Sequence, residues 1–205
     1  MIELDHLAVS GETLEAARAH VEEALGVVMQ PGGEHAVFHT HNALLGLEDG
    51  LYLEAVAINR AAPVPDRPRW LDLDRFAGSP RLTNWICRTE ILEQALTEVD
   101  ADFGAPVELQ RGDLRWRMAV PRSGVLPFDN LAPALMQWET HVHPARLLEP
   151  TGVRLRRLTL SHPKAHDLRK LLAPVFSDER IDIQSGGPSI HAEFDTPHGL
   201  RALGK

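Results

Sequence analysis

The sequence predicts an α+β protein that contains two βαβββ modules and a third, partial βαββ unit at the C-terminus. Two observations support this fold class. The order of a strand, a helix and further strands repeats three times along 205 residues, with apolar spacing that alternates between the strand and helix periods. Segments rich in Gly and Pro separate the elements. Because a curled half-barrel sheet has a concave face that must be covered, we expect the units to pack into one compact domain.

The first module covers residues 1–60. Its elements are a strand at 2–9, a helix at 12–25, a short strand near 27–30, and two strands at 36–47 and 51–59 joined by a turn at 48–50. Leu14, Ala17, Val21 and Leu25 share one face of the helix, and Gly26 ends it. Pro31, Gly32 and Gly33 predict a loop.

Residues 61–81 contain four prolines and are predicted to link the first module to a second one at 82–150. The second module has a strand at 81–89, a helix with Ile91, Leu92, Ala95, Leu96 and Val99 on one face, a hairpin at 106–122 and a strand at 134–143. The third unit, 151–205, has a strand at 153–163, a helix at 166–172 and a hairpin around Gly186 and Gly187.

Composition excludes several classes of function. With 21 Lys and Arg against 29 Asp and Glu, the net charge of −8 disfavours nucleic acid and anionic membranes as partners. The sequence predicts no leader peptide and no membrane-spanning segment. Its single cysteine, Cys87, suits a reducing compartment, so we expect a cytoplasmic protein. A Gly-rich phosphate loop is missing from the sequence, and we therefore expect no nucleotide cofactor.

Several motifs together resemble the vicinal oxygen chelate superfamily, in its glyoxalase-like branch. They are LDHLAV, GGEH followed by HTHNALLGL, LYLEAVAI, NWICRT, LRWRMAV and ALMQWE, and they extend from residue 2 to about residue 144. The resemblance implies paired modules that form a cupped mixed sheet. It also implies a divalent metal held by side chains from the first and last strands of each module, with substrate oxygens completing the coordination.

Carried over by position, with ALMQ aligned to LYLE, the resemblance implies the metal ligands His6, Glu54 and Gln137 and the pocket residues His35, His39 and Asn42. Alternation along the strand places Glu139 on the same face as Gln137, inside the cup, so Glu54 and Glu139 are the candidate catalytic carboxylates. Trp85 and Trp138 are large apolar side chains that could also line the pocket. Trp85 occupies the position of a second-module ligand, although an indole cannot bind a metal. Glu54 cannot be both a tight ligand and a general base at the same time.

These assignments leave alternatives open. His6 could be a hydrogen-bonded strand histidine, and Glu54 could be solvated or paired with an arginine. The leading hypothesis is a lyase or isomerase that acts on a small molecule with vicinal oxygens, assisted by a divalent metal of unknown identity. The alternative is a small-molecule binding or sequestering protein that has lost the metal. A ring-cleaving dioxygenase ranks third, because its iron site needs a second histidine. The sequence leaves a homodimer open.

Overall fold

The computed structural model describes residues 1–204, which form two β-sheets and three α-helices. The first sheet contains β1 (Glu3–Ser10), β2 (Gln30–His35), β3 (Thr40–Leu47), β4 (Leu51–Ile58), β5 (Arg81–Arg88), β6 (Ala105–Arg111), β7 (Leu114–Val120) and β8 (Ala134–Trp138). The second contains β9 (Arg154–Ser161), β10 (Ile181–Gln184), β11 (Ser189–Thr196) and β12 (Gly199–Gly204). The helices are α1 (Leu14–Leu25), α2 (Leu92–Glu98) and α3 (Ala165–Leu172). The α+β fold class with a curled mixed sheet is confirmed.

The eight strands of the first sheet follow the order β2-β3-β4-β1-β5-β8-β7-β6. In each module the first and last strands are parallel neighbours, as β1 with β4 and β5 with β8. The two modules meet where β1 and β5 pair in antiparallel fashion at the centre of the sheet. Side chains from the first and last strands of both modules therefore lie beside one another.

The sheet curls until its two edge strands approach each other. The side chain of Arg111, at the end of β6, passes within 2.8 Å of the position that a Cβ atom on Gly33 of β2 would occupy. A residue without a side chain at position 33 leaves room for this contact. The concave face is consequently closed on both sides, and its side chains are shielded from water.

Helix α1 follows the rules that the sequence predicts. The Thr13 hydroxyl accepts a hydrogen bond from the Ala16 amide at 3.1 Å, which caps the first turn. Gly26 ends the helix with a φ of 73°. Ala17, Val21 and Leu25 are buried on the face that packs against the sheet, and each of the two larger side chains contributes about 1.5–3 kcal/mol by leaving water.

Three strand boundaries in the first sheet differ from the prediction. Strand β2 runs through Gln30–His35, where Pro and Gly predict a loop; β2 is an edge strand, and an edge tolerates a proline. Strand β3 begins only at Thr40, because His39 adopts a left-handed φ of 50°. Strand β8 ends at Trp138 rather than at residue 143.

The predicted hairpin around Gly186 and Gly187 is wrong. Strands β10 and β11 do not pair with each other; both pair with β9, β10 in parallel and β11 in antiparallel orientation. Helix α3 provides the crossover that a parallel pair requires. The C-terminal unit also contains one strand more than predicted, β12, which pairs with β11. This second sheet packs against α1 and β5.

The predicted linker at 61–81 contains no strand, but it is not merely a spacer. A short 3₁₀ segment, Trp70–Arg75, buries Trp70, Leu71 and Leu73 against the first sheet. Leu71 and Asp72 have left-handed φ angles of 54° and 57°, which are strained for side chains of this kind. No helix within residues 1–204 is long and apolar enough to cross a membrane.

Candidate functional site

His6 and Glu54 lie side by side on the concave face. Strands β1 and β4 are parallel neighbours, with Ala8 opposite Glu54 and His6 opposite Tyr52. The His6 Nε2 atom is 3.7 Å from Glu54 Oε2, and both side chains are buried. Two atoms that each bind one ion at about 2.0–2.2 Å can be this far apart. The geometry therefore meets the first requirement for a shared ion, since both groups point into the same space.

Asp5 contacts the ring nitrogen of His6 that faces away from Glu54, and this residue was not predicted from the sequence. The Asp5 Oδ1 atom is 2.6 Å from His6 Nδ1, while Oδ2 accepts the Trp138 indole N–H at 3.0 Å and lies 2.9 Å from His143 Nε2. Asp5 has no exposed surface. Burial disfavours its charge, but the bonds to His143 and His6 outweigh burial and hold its pKa well below the usual range.

A break in the strand pairing explains how two consecutive residues reach the same site. Between β1 and β5, Leu4 pairs with Cys87 and His6 pairs with Ile86, so Asp5 has no partner in the ladder. Such an extra residue is a β-bulge, which redirects a side chain that strict alternation would place on the opposite face. The signal in the sequence was an aspartate between Leu4 and His6 in an otherwise apolar strand.

Asn42 holds Glu54 in place, and His35 lies beside it. The Asn42 Nδ2 amide donates to Glu54 Oε1 at 2.6 Å, and Asn42 Oδ1 accepts the Gly33 N–H at 2.9 Å. His35 Nε2 lies 3.9 Å from Glu54 Oε1. Burial would raise the pKa of Glu54, but the neighbouring His6, His35 and Asn42 side chains lower it to about 2. Glu54 is thus a carboxylate at neutral pH.

The pKa of His6 is set by burial and by the two carboxylates on either side of its ring. Burial by itself lowers the pKa of the imidazole, but its bond to Asp5 and the nearby Glu54 carboxylate raise it above the ordinary value. One imidazole is therefore held between two buried carboxylates, Asp5 at Nδ1 and Glu54 near Nε2.

Aromatic side chains cover the centre almost completely. Tyr52 stacks on His6 with ring centroids 4.2 Å apart, and Trp70, Trp116 and Trp138 enclose the remaining space. The enclosed cavity measures about 20 Å³, which is room for about one water molecule and far below the 300–1,000 Å³ typical of ligand pockets. A substrate can reach His6 and Glu54 only if part of this cover moves.

A sequence model described as a glyoxalase-like domain matches residues 4–176. The chain belongs to this glyoxalase-like family. The resemblance to the glyoxalase-like branch of the vicinal oxygen chelate superfamily is thereby confirmed. No curated protein matches the chain.

Solved structures with a related fold share little sequence with this glyoxalase-like chain. A hypothetical protein from Staphylococcus aureus has a TM-score of 0.59 at 11% identity, over 100% of this chain and 85% of the other. The Mn(II)-bound glyoxalase from Novosphingobium aromaticivorans has a TM-score of 0.49 at 11% identity, over 98% and 81%. Methylmalonyl-CoA epimerase from Mycobacterium tuberculosis has a TM-score of 0.40 at 15% identity, over 70% and 91%. At these identities the first likeness concerns the fold alone.

Four predicted site residues lie away from this centre. Gln137 Oε1 accepts the Leu92 N–H at 2.9 Å and the Arg117 Nη2–H at 2.8 Å, on the face that carries α2. Glu139 pairs with Arg117 at 3.1 Å on the same outer side. The even-numbered Met136 and Trp138 face the cavity instead. The expectation that Gln137 and Glu139 face the cup is therefore wrong, because the alignment of ALMQ with LYLE was displaced by one residue.

Trp85 and His39 are the other two predicted site residues that lie away from the centre. Trp85 is fully buried on the opposite face of the sheet, where it is paired with Leu7, donates to Leu131 O at 2.8 Å and packs on Phe176. His39 lies in the turn before β3 and lines no part of the cavity. The predicted pocket residues that the structure does bring to the site are His35, Asn42, which holds Glu54, and Trp138.

The structure adds several residues that the sequence analysis did not place at the site. Tyr52, Trp70, Arg111, Trp116 and Met118 line the cavity. The Trp70 Nε1–H is buried and has no hydrogen-bond partner among residues 1–204. An unpaired buried donor costs about 1–3 kcal/mol, so this N–H is available to an oxygen of a ligand.

The donor set of this glyoxalase-like chain fits a divalent metal only in part. Within residues 1–204, no group of three or more His, Cys, Asp or Glu side chains is arranged as a complete metal site. His6 Nε2 and Glu54 Oε2 nevertheless supply one imidazole and one carboxylate at a suitable separation. Asp5 on the other imidazole nitrogen is the carboxylate support that metal-binding histidines usually have. The remaining positions would be open to water or substrate.

A substitution at Gly32 tests whether Asn42 holds the Glu54 carboxylate in place. A Cβ atom at this position would overlap the Asn42 side-chain oxygen, so Gly32→Ala displaces the amide that holds Glu54. We expect a loss of about 2 kcal/mol in the free energy of unfolding, measured by urea denaturation. Gly187→Ala is the matched control, because nothing lies within 4 Å of a Cβ there, and it should change stability little. Equal effects of the two substitutions would contradict the packing described for Asn42.

His35 should stay neutral in mild acid. Burial is the main cause that lowers its pKa from 6.5 to about 4, and Thr40 Oγ1 lies 2.9 Å from its Nδ1. Below pH 6.5 the unfolded chain takes up a proton here that the folded chain does not, so this residue's contribution to stability falls between about pH 6.5 and pH 4. Imidazole NMR should find a midpoint near 4. A midpoint near 6.5 would contradict the burial of this ring.

Proposed function

We propose that the chain is a glyoxalase-like enzyme, a lyase or isomerase that moves a proton within a small molecule carrying two neighbouring oxygens. The observation that carries this proposal is the buried pair of His6 and Glu54, 3.7 Å apart, with Asp5 fixing the imidazole. Buried titratable groups whose pKa values are shifted by a specific charged partner are candidates for functional sites. Here the pKa of the His6 imidazole is raised and that of the Glu54 carboxyl is lowered.

Glu54, His6 and Asp5 have separate roles in the proposed reaction. Glu54 Oε2 takes the proton from the substrate carbon and returns it to the neighbouring carbon. His6 Nε2 faces the oxygen on which negative charge develops, and Asp5 stabilises the imidazole in that orientation. The unpartnered Trp70 Nε1–H is a further donor for a substrate oxygen. The tight aromatic cover excludes water, which strengthens each of these interactions.

A divalent metal would be held by His6 Nε2 and Glu54 Oε2. When bound, it would polarise the two substrate oxygens. Because Glu139 lies on the outer face, Glu54 is the only predicted carboxylate that remains in the cup, among the residues the structure describes, for either role. Glu54 would therefore serve either as a tight ligand of an ion or as the group that transfers the proton, and the two roles would compete.

A second candidate is a small-molecule binding protein without catalysis. One observation favours it: Gln137 and Glu139 face away, so within residues 1–204 the second module adds no carboxylate or amide ligand near His6. Hydrogen exchange separates the two candidates. The protein is loaded with zinc, nickel, manganese or iron and mixed with hydroxyacetone in D₂O. Deuterium entry next to the carbonyl, above the rate in buffer with the same metal, supports the enzyme; no exchange with any of the four metals contradicts it.

A further inference from the structure

A second, much larger cavity lies between the first sheet and the C-terminal sheet. It measures about 660 Å³, within the range of small-molecule sites. Its walls come from the 3₁₀ segment, the start of β5, the loop around residue 130 and the beginning of β11. Seven of the lining residues are apolar: Leu71, Phe76, Pro80, Leu82, Leu131, Pro188 and Ile190.

The charged groups of this cavity already have polar or aromatic partners within the chain. Asp72 accepts two bonds from Arg75, at 2.6 and 2.7 Å, and one from Asn130 at 2.9 Å. Arg81 lies over the Phe76 ring and donates to two backbone carbonyls. Asp129 contacts His162 at 3.0 Å. Because these groups are already engaged, a neutral ligand suits the cavity best.

Two uncharged polar side chains in the cavity wall lack hydrogen-bond partners. Asn84 has no exposed surface, and neither its Oδ1 nor its Nδ2 atom has a hydrogen-bond partner among residues 1–204. The buried Nε2 of His20, in the same cavity wall, also has none there. Leaving an amide unpaired in the interior costs about 1–3 kcal/mol for each lost bond, and native proteins rarely tolerate this without a reason.

Asn84 is also aligned with the candidate active site. Ala8 of β1 is the pairing partner of both Glu54 on one side and Asn84 on the other, so the two side chains lie on the same sheet face. Two strand spacings separate them, which is roughly 10 Å. Leu71, with its left-handed backbone, belongs to the walls of both cavities. This residue is the partition between the large cavity and the small one over His6.

We propose that the large cavity is a binding site for a neutral, mainly apolar small molecule that carries an amide group. An amide offers one donor and one acceptor, which match the Nδ2 and Oδ1 atoms of Asn84, and the apolar walls take the rest of the ligand. If the proposed function holds, this ligand is the body of the substrate, and displacement of Leu71 brings its reactive end to Glu54.

The test uses the metal-free wild-type chain, so that a failure of metal binding or exchange at Glu54 does not affect it. The probe is N-cyclohexylacetamide, and cyclohexyl acetate is the matched probe without the amide N–H. Two-dimensional NMR is expected to report saturable shifts at His20, Asn84 and Leu131, with the ester binding about tenfold more weakly. Equal binding of both probes, or shifts confined to other parts of the chain, would overturn the proposal.

Two substitutions separate recognition from folding. Asn84→Leu removes the unpaired amide, so we expect an unfolding midpoint at least as high as that of the wild type and binding weakened about tenfold. His20→Leu, on the partly exposed helix α1, should weaken binding without unfolding the chain. Gln94→Leu on exposed α2 is the control and should leave binding unchanged. Unchanged binding in Asn84→Leu, or an equal loss in Gln94→Leu, would overturn the assignment.

Leu71→Gly tests the partition itself. Glycine adopts the left-handed backbone of this position without strain and removes the side chain that belongs to both walls. The amide probe should then shift the imidazole resonances of His6, which it leaves unchanged in the wild type. If the probe does not shift the His6 imidazole resonances in Leu71→Gly, the proposed connection between the two cavities is wrong.

Discussion

Asp5→Asn is expected to destabilise the protein by about 3 kcal/mol, because it removes one partner from a buried, charged network. The carboxylate of Asp5 accepts from Trp138 Nε1 and contacts His6 Nδ1 and His143 Nε2. An asparagine of the same shape has one acceptor oxygen, and its amide group would face a donor. The same change should weaken binding of a divalent metal by about 10–100-fold, since Asp5 orients the imidazole.

Chemical denaturation and metal titration measure these two effects separately. Asp129→Asn is the matched control: Asp129 also contacts a histidine, His162, but its carboxylate is largely exposed, so the change should cost about 1 kcal/mol or less. If Asp5→Asn is as stable as the wild type and keeps its metal affinity, Asp5 does not support His6.

Glu54→Gln should abolish the proposed proton transfer while the fold is kept. The amide has the shape of the carboxylate and can still accept the hydrogen bond from Asn42, but it cannot take up a proton. Deuterium exchange into hydroxyacetone should fall by at least about 100-fold. Glu139→Gln is the control, because Glu139 lies on the outer face beside Arg117 and should leave the rate unchanged. A loss of exchange in Glu139→Gln alone would restore the assignment made from the sequence.

Two arguments from the sequence place His6 and Glu54 near each other. Alternation along the two strands puts both side chains on inward faces, and the resemblance to the glyoxalase-like family implies that the first and last strands of a module share a metal. In the structure these strands, β1 and β4, are parallel neighbours. Helix α1 likewise ends at the predicted Gly26, although it begins at Leu14 rather than at residue 12.

Which residues of β5 and β8 face the site depends on strand register, and periodicity along one strand does not determine register. A displacement of one residue moves every side chain of a strand to the other face. In β8 this displacement exchanged Gln137 for Met136 and Trp138, and in β5 it placed Trp85 in the core while Asn84 lies on the face of His6. Asp5 escaped prediction for the same reason, because only a bulge turns it toward His6.

The cover of the site was beyond local reasoning altogether. Residues 61–81 predict a linker by their prolines, yet Trp70 and Leu71 lie over the concave face. Arg111 comes from the opposite edge of the sheet and reaches the site only because the sheet curls. Such contacts join residues far apart in sequence, and they follow from tertiary packing rather than from any pattern within one segment.

Metal content tests the central claim that His6 and Glu54 form the functional centre. Protein without a histidine tag is loaded with zinc, nickel, manganese or iron, dialysed, and analysed for bound metal. We expect about one ion per chain in the wild type, in Gln137→Ala and in Glu139→Ala, and a loss of that ion in both His6→Ala and Glu54→Ala. A wild type that retains none of the four metals, or a loss of metal in Gln137→Ala with retention in Glu54→Ala, would contradict it.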